Sequence, residues 1–243
     1  MSAERHNVDV SSGDSTGVAP VSFKSTRSEA VAEKRSDLGL NKKTLYRGIK
    51  RGVDIISAIG LLGITAPLFV VIGLLIKAED SGRCFFVHDR VGLHGKRIRI
   101  YKFRSMHTGA EDLERILCDK DIEEYYREYK LKTDPRVTET GRRLRRTYMD
   151  ELPQLFNVLR GEMSMVGPRP ITDGELSFYR EDELTRLLSV KPGLTGYWQV
   201  YGKNHANYQN GLRQEMEIYY ADHANLKLDA KVLIKTPVMI FAK

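Results

Sequence analysis

The chain has 243 residues, 41% of them hydrophobic, which suits one domain with its own core plus accessory segments. Its formal net charge of +7 favours polyanionic partners such as nucleic acid, anionic lipid or phosphorylated small molecules, without choosing among them. The two cysteines, Cys84 and Cys118, lack metal-ligand spacing, which excludes a cysteine-built metal centre and reads as reduced thiols.

Residues 1–40 form a polar stretch without an apolar run, so they read as a disordered tail and not as a signal peptide. A membrane anchor is expected over residues 41–80. Within it, Ile55 to Ile76 carries no charged side chain, and these 22 residues reach about 33 Å as a helix, enough to span a bilayer. Basic residues flank both ends: Lys42, Lys43, Arg47, Lys50 and Arg51 before, Lys77, Arg83 and Arg90 after. The positive-inside rule places both flanks in the cytoplasm. A helix bent at Pro67 and returning to the same face satisfies that rule, with Ser57 and Thr65 available to freed backbone groups. A straight span stands beside it on these grounds alone.

Residues 81–243 are expected to form the cytoplasmic domain. Cys84–His88 and Arg97–Phe103 are β-prone and separated by Gly92 and Gly95, which predicts a hairpin. Gly109–Lys130 predicts one or two solvated helices, and Asp134-Pro135 a turn. Asp150 is placed to cap a helix carrying Leu152, Leu155, Phe156 and Leu159, with Gly161 as its stop. Loops follow at Gly167–Pro170 and Lys191–Gly196, with helices over Asp173–Leu188 and Tyr208–His223. Leu226–Phe241 mixes apolar residues with Lys227, Lys231 and Lys235, which suits a helix on a membrane surface or one docked on the core. The fold class is α+β: a monotopic membrane protein with a Pro-broken re-entrant helix, a small hairpin and a mostly helical catalytic domain.

The densest chemistry lies between Arg145 and Pro170. Asp150 and Glu151 form an adjacent carboxylate pair behind Arg142, Arg143, Arg145 and Arg146, and the run continues through Gln154 and Asn157 to a stiff loop bearing Arg169. Arginines hold phosphates by charge-assisted forks, and a carboxylate can attack phosphorus or bind Mg2+. Read generically, Asp150 is just as well a helix cap and the arginines a solvated face.

The stretch from Arg145-Arg146-Thr147-Tyr148-Met149-Asp150-Glu151-Leu152-Pro153-Gln154 to Met165-Val166-Gly167-Pro168-Arg169-Pro170 closely resembles the bacterial sugar transferase family, the monotopic phosphoglycosyl transferases. Lys50-Arg51 with Asp54, Tyr101–Met106, Lys191–Gly196 and Trp198-Gln199 extend the resemblance from about Lys43 to the C-terminus. Several long motifs in order are more specific than one short pattern.

The resemblance implies a UDP-sugar donor, a polyprenyl phosphate acceptor, release of UMP and Mg2+ as cofactor, at the cytoplasmic face of a bacterial membrane. It implies Asp150 as nucleophile and Mg2+ partner, Glu151 as its assistant, and Lys102, Arg145 and Arg169 as phosphate-binding groups. Lys50 and Arg51 would meet lipid headgroups, while Asp54 would help hold a helix break at Pro67. Gln154, Asn157 and Glu217 are further, weaker candidates, Glu217 reading first as helix surface.

Departures from the family pattern are Ala66 where serine is common, Arg83 for proline, His88 for glutamine and Glu217 for aspartate. Relatives often carry additional membrane helices before this core, and the chain resembles the short form. A homodimer is compatible with the resemblance. Two other classes compete: an inactive scaffold for polysaccharide assembly, and a membrane-tethered nucleic-acid binder. Against the binder, no helix-turn-helix, zinc-finger or RNA-binding aromatic pattern is present, so no nucleic acid is expected as partner.

Overall fold

The computed structural model describes residues 44–129, 131, 133–202 and 205–241. The expected tail over residues 1–40 lies outside them. The architecture mixes helices with two small sheets.

Helix α1, Thr44–Glu79, is the longest element and the one helix among the described residues with the length and hydropathy to cross a membrane. It runs through Pro67 without interruption, so the expected break is not seen. Thr65 donates to the Leu61 carbonyl at 2.7 Å, the local bond that its position near the proline suggests.

One face of α1 lies on the rest of the protein along most of its length. Near its start, Asp54 and Ala58 are buried against the main core, which includes Leu155, Val158, Met163 and Tyr220. Near its end, Ile72 and Ile76 pack on Phe103 and Leu144, and Glu79 accepts from the backbone N–H of Glu139 at 2.7 Å. The remaining face leaves Ile56, Ile64, Val70 and Leu74 exposed.

The hairpin forms as predicted. Strand β1, Phe85–Val91, pairs antiparallel with β2, Arg97–Phe103, placing Phe86 opposite Lys102. Helices α2, Leu113–Ile116, and α3, Asp119–Glu128, account for the charged region. Helix α4, Glu139–Thr147, is capped by Thr138, whose hydroxyl accepts from the Gly141 N–H at 2.9 Å. Gly141 lets α4 approach the hairpin exit, because a Cβ there would lie 2.0 Å from the Ser105 carbonyl oxygen.

The helix expected to start at Asp150 does so differently. Met149–Gln154 winds as a 3-10 turn, and helix α5 covers only Leu155–Arg160. Tyr148, left-handed at φ 57°, joins α4 to this turn, a strained conformation for a bulky side chain. Gly161 ends α5 at φ 81°, as the sequence suggests.

The two Gly-Pro loops contain a parallel pair that periodicity does not reveal. Strand β3, Ser164–Val166, lies beside β4, Gly193–Thr195, and each is too short to show alternation. A Cβ at Gly193 would fall 2.0 Å from the Gly167 nitrogen, so the loops meet backbone to backbone. The helix expected over Asp173–Leu188 resolves into a turn at Gly174–Phe178 and helix α6, Glu181–Leu187. Helix α7, Tyr197–Tyr201, has no counterpart among the sequence expectations. Helix α8 covers Leu212–His223 and α9 Leu226–Phe241. Helix α9 docks on the core through Val232, which is fully buried, while Ile234 and Val238 stay exposed.

Candidate active site

The 3-10 turn carries Asp150 and Glu151 between β2, α4 and the loop after β3. Lys102 of β2 reaches the Glu151 carboxylate at 2.6 Å, and Arg169 approaches it at 3.7 Å. Arg145 donates from Nε to the Ser105 hydroxyl at 2.9 Å. Burial lowers the Arg145 guanidinium, and the Asp150 carboxylate is the largest influence opposing that shift. Lys102, Arg145, Asp150, Glu151 and Arg169, separated by up to 67 positions in the chain, therefore share one electrostatic neighbourhood.

The two carboxyls are driven apart. Asp150 is 8% exposed, and burial, then repulsion from Glu151, raises its carboxyl above the usual range. Burial also pushes Glu151 up, but Lys102 and Arg169 outweigh it and hold that carboxyl low. Neighbouring acids separated in this way suit different roles in one reaction.

Beside the pair opens a small cleft, lined among others by Arg90, Lys102, Glu151, Gln154, Arg169 and Gln199. Gln154, a weaker sequence candidate, thus reaches the site. Asn157 does not. Its side chain donates to the Arg99 carbonyl at 2.7 Å and to Glu162 at 2.6 Å, and accepts from the Tyr101 N–H at 3.1 Å. It ties α5 to the hairpin, a structural task.

Glu217 is not helix surface. It is 1% exposed, and accepts from the Arg169 backbone N–H at 3.3 Å and from the Tyr179 hydroxyl. It therefore holds the Arg169 loop from below. Burial raises its carboxyl.

Behind the cleft lies a buried ionic network with which sequence reasoning does not reckon. Arg90 pairs with Glu175 at 2.9 Å, and Arg213 approaches Glu175 at 3.5 Å and Glu217 at 3.8 Å. The Arg213 guanidinium stacks between Tyr208 and Trp198. In the sequence Arg90 reads as one flanking charge of many; strand alternation points it to the face opposite its neighbour Val91, so no local pattern marks it as buried.

Lys50, Arg51 and Asp54 find their partners within the protein. Lys50 donates to the Val166 carbonyl at 3.0 Å and pairs with Asp229 at 2.8 Å. Arg51 donates to the carbonyls of Val158 and Leu159 at 2.5 and 2.7 Å, where α5 ends. Asp54 accepts from the Ser164 hydroxyl and the Met165 N–H, each at 2.9 Å. Asp54 thus fastens β3 to α1, and it sits over three helical turns from Pro67.

Among the described residues, no group of three or more His, Cys, Asp or Glu is placed to hold a metal ion. Mg2+ commonly binds through one or two carboxylates plus substrate phosphates, a smaller donor set than such a group.

Comparison with known proteins identifies the setting. The chain matches the bacterial sugar transferase family over residues 45–243. It is 41% identical over 204 residues to the undecaprenyl-phosphate galactose phosphotransferase of Salmonella typhimurium, covering 83% of this chain and 42% of that protein. It is 41% identical over 191 residues to the exopolysaccharide production protein ExoY of Rhizobium meliloti, covering 77% of this chain and 83% of that protein. To the UDP-N-acetylgalactosamine-undecaprenyl-phosphate N-acetylgalactosaminephosphotransferase of Aeromonas hydrophila it is 35% identical over 200 residues, covering 79% and 43%. The chain therefore spans about two fifths of the Salmonella and Aeromonas relatives and most of ExoY. With the match extending over nearly all of the described residues, the chain belongs to the bacterial sugar transferase family.

Proposed function

We propose that the protein transfers a sugar 1-phosphate from a UDP-sugar to polyprenyl phosphate, releasing UMP, as an early membrane step of exopolysaccharide or glycoconjugate synthesis. The observation that carries this reading is the buried Asp150 beside a Glu151 held by Lys102 and Arg169. Two carboxyls facing several fixed cations suit a diphosphate whose charge redistributes during transfer. The names of the relatives, which include undecaprenyl-phosphate sugar phosphotransferases, support the same reaction class.

In this reading an Asp150 carboxylate oxygen attacks the β-phosphorus of the donor. The bond from that phosphorus to the bridging oxygen breaks, and UMP leaves with the electron pair. Sugar phosphate is then held on Asp150 as an acyl phosphate. An oxygen of polyprenyl phosphate attacks the same phosphorus, and the Asp150 oxygen leaves, restoring the carboxylate. Desolvation of Asp150 removes the water that would blunt it as a nucleophile. Lys102 and Arg169 hold phosphoryl oxygens, and Glu151 fixes Lys102 and orients groups in the second step. Asp150, with Glu151 beside it, would hold Mg2+, which when bound neutralises charge on the diphosphate.

Helix α1 in this reading lies in the cytoplasmic leaflet without crossing it. In support, its beginning and its end are fastened to one globular body, through Lys50, Arg51 and Asp54 on one side and Ile76 and Glu79 on the other. Basic residues on both flanks agree.

The test is UMP release by detergent-solubilised protein with Mg2+ and undecaprenyl phosphate, across a panel of UDP-sugars. Lipid-dependent release with one sugar is expected. Folded protein that releases none with any donor would overturn the reading and favour the scaffold class.

A further inference from the structure

Two buried polar groups in the cleft have no task in the transfer chemistry just described. Arg90 is 8% exposed, and its Nη1 is engaged by Glu175 and the Pro170 carbonyl, yet its Nε finds no hydrogen-bond partner among the described residues. Gln199 likewise presents a buried Oε1 without a partner among them. Both residues line the same cleft as Glu151 and Arg169. An unmatched buried donor or acceptor is costly, so such a pair is expected to be matched when a ligand is bound.

Gln199 is also held in place. It follows Trp198 on α7, whose ring is stacked on the buried Arg213 guanidinium at 4.6 Å. Arg213 in turn is approached by Glu175, the partner of Arg90. Through its neighbour Trp198, Gln199 thus adjoins the ionic network that holds Arg90.

Their chemistry selects the ligand group. A carboxamide oxygen accepts only, and phosphate oxygens at neutral pH also accept, so Gln199 Oε1 does not read the diphosphate. It needs a donor, while Arg90 Nε needs an acceptor. A sugar hydroxyl offers both, and an N-acetyl group offers an N–H and a carbonyl. The sugar is joined directly to the reacting β-phosphate, whereas uracil stands a phosphate and a ribose away. The cleft is bordered by Glu151 and Arg169, which places it for the nearer of the two.

We infer that Gln199 and Arg90 form the sugar-reading subsite, with Gln199 Oε1 accepting from a ring hydroxyl or amide N–H of the transferred sugar. This rests on the transfer reading above and deepens it, by naming specificity-determining residues. A site that hydrogen-bonds a particular substituent discriminates strongly against analogues that misplace it, because its own buried groups are then left unpaired.

The experiment compares wild type, Gln199→Leu and Gln199→Glu. It measures kcat/KM for UMP release from the preferred UDP-sugar and its epimers, together with inhibition by UDP, which lacks the sugar. Gln199→Leu should lower kcat/KM for the preferred donor by about 10- to 100-fold and compress the ratio between epimers, with the UDP inhibition constant unchanged within about twofold. Gln199→Glu, which keeps an acceptor and the shape, should retain more of the ratio, and it decides the matter if the leucine variant does not fold. Weakened UDP inhibition in parallel with lost turnover would assign Gln199 to the uracil and overturn the inference. An unchanged epimer ratio in both variants would overturn it as well. If wild type releases UMP from no donor, it is the transfer reading that fails.

Discussion

Lys102 and Glu151 meet at 2.6 Å, joining the second hairpin strand to the turn that carries Asp150. With Arg169 it holds the Glu151 carboxyl low, beside an Asp150 whose own carboxyl is raised by burial. Lys102→Met removes that cation. UMP release should fall at least ~100-fold, the scale on which removing one preorganised electrostatic group acts. The Glu151 carboxyl should rise, so the acid limb of residual activity moves upward. A pH–rate profile measures both effects.

Glu217 is buried with its carboxyl raised, so burial disfavours its charged form. A carboxamide in its place would still accept from the Arg169 N–H, so Glu217→Gln should keep the thermal midpoint at about pH 7.5 or raise it. Glu217→Ala leaves that N–H and the Tyr179 hydroxyl unmatched and should cost ~1–3 kcal/mol. Thermal unfolding of the detergent-solubilised variants separates the two.

Burial, then the Arg90 and Lys102 charges, brings the His88 ring down to about 4. The folded protein therefore binds this proton less readily than the unfolded chain, whose histidine titrates near about 6.5. Stability associated with His88 is complete above about pH 6.5 and declines as pH falls toward about 4. Replacing His88 with glutamine should flatten the stability profile in that window, read by denaturant midpoints at successive pH values.

Arg51 caps the carbonyl end of α5, the helix that follows the turn bearing Asp150, from its place on α1. Arg51→Ala should destabilise the protein by ~1–2 kcal/mol through lost charge-assisted bonds at a helix C-terminus. Faster protease cleavage between α5 and β3 than in wild type would report the loosened contact.

Much of this is legible in the sequence. The apolar run of α1, the hairpin about Gly92 and Gly95 and the Gly161 stop each rest on local chemistry, and each appears. Family resemblance singles out Lys102, Arg145, Asp150, Glu151 and Arg169, and the fold brings them together. What escapes is non-local. The β3–β4 pair depends on two glycine loops meeting backbone to backbone, which no periodicity reports. Glu217 reads as helix surface because a lone carboxylate gives no sign of a buried partner such as Arg213, four residues before it. Asn157 reads as a site residue by proximity in sequence, yet its side chain faces the hairpin backbone.

The central claim is that Asp150 carries the sugar phosphate between donor and acceptor. The most direct measurement is intact-protein and peptide mass after mixing enzyme, Mg2+ and the preferred UDP-sugar without polyprenyl phosphate. A sugar phosphate added to the peptide containing Asp150, formed with one equivalent of UMP and absent in Asp150→Asn, is the predicted result. Normal lipid-dependent turnover with no such adduct, or wild-type turnover by Asp150→Asn, would contradict the account.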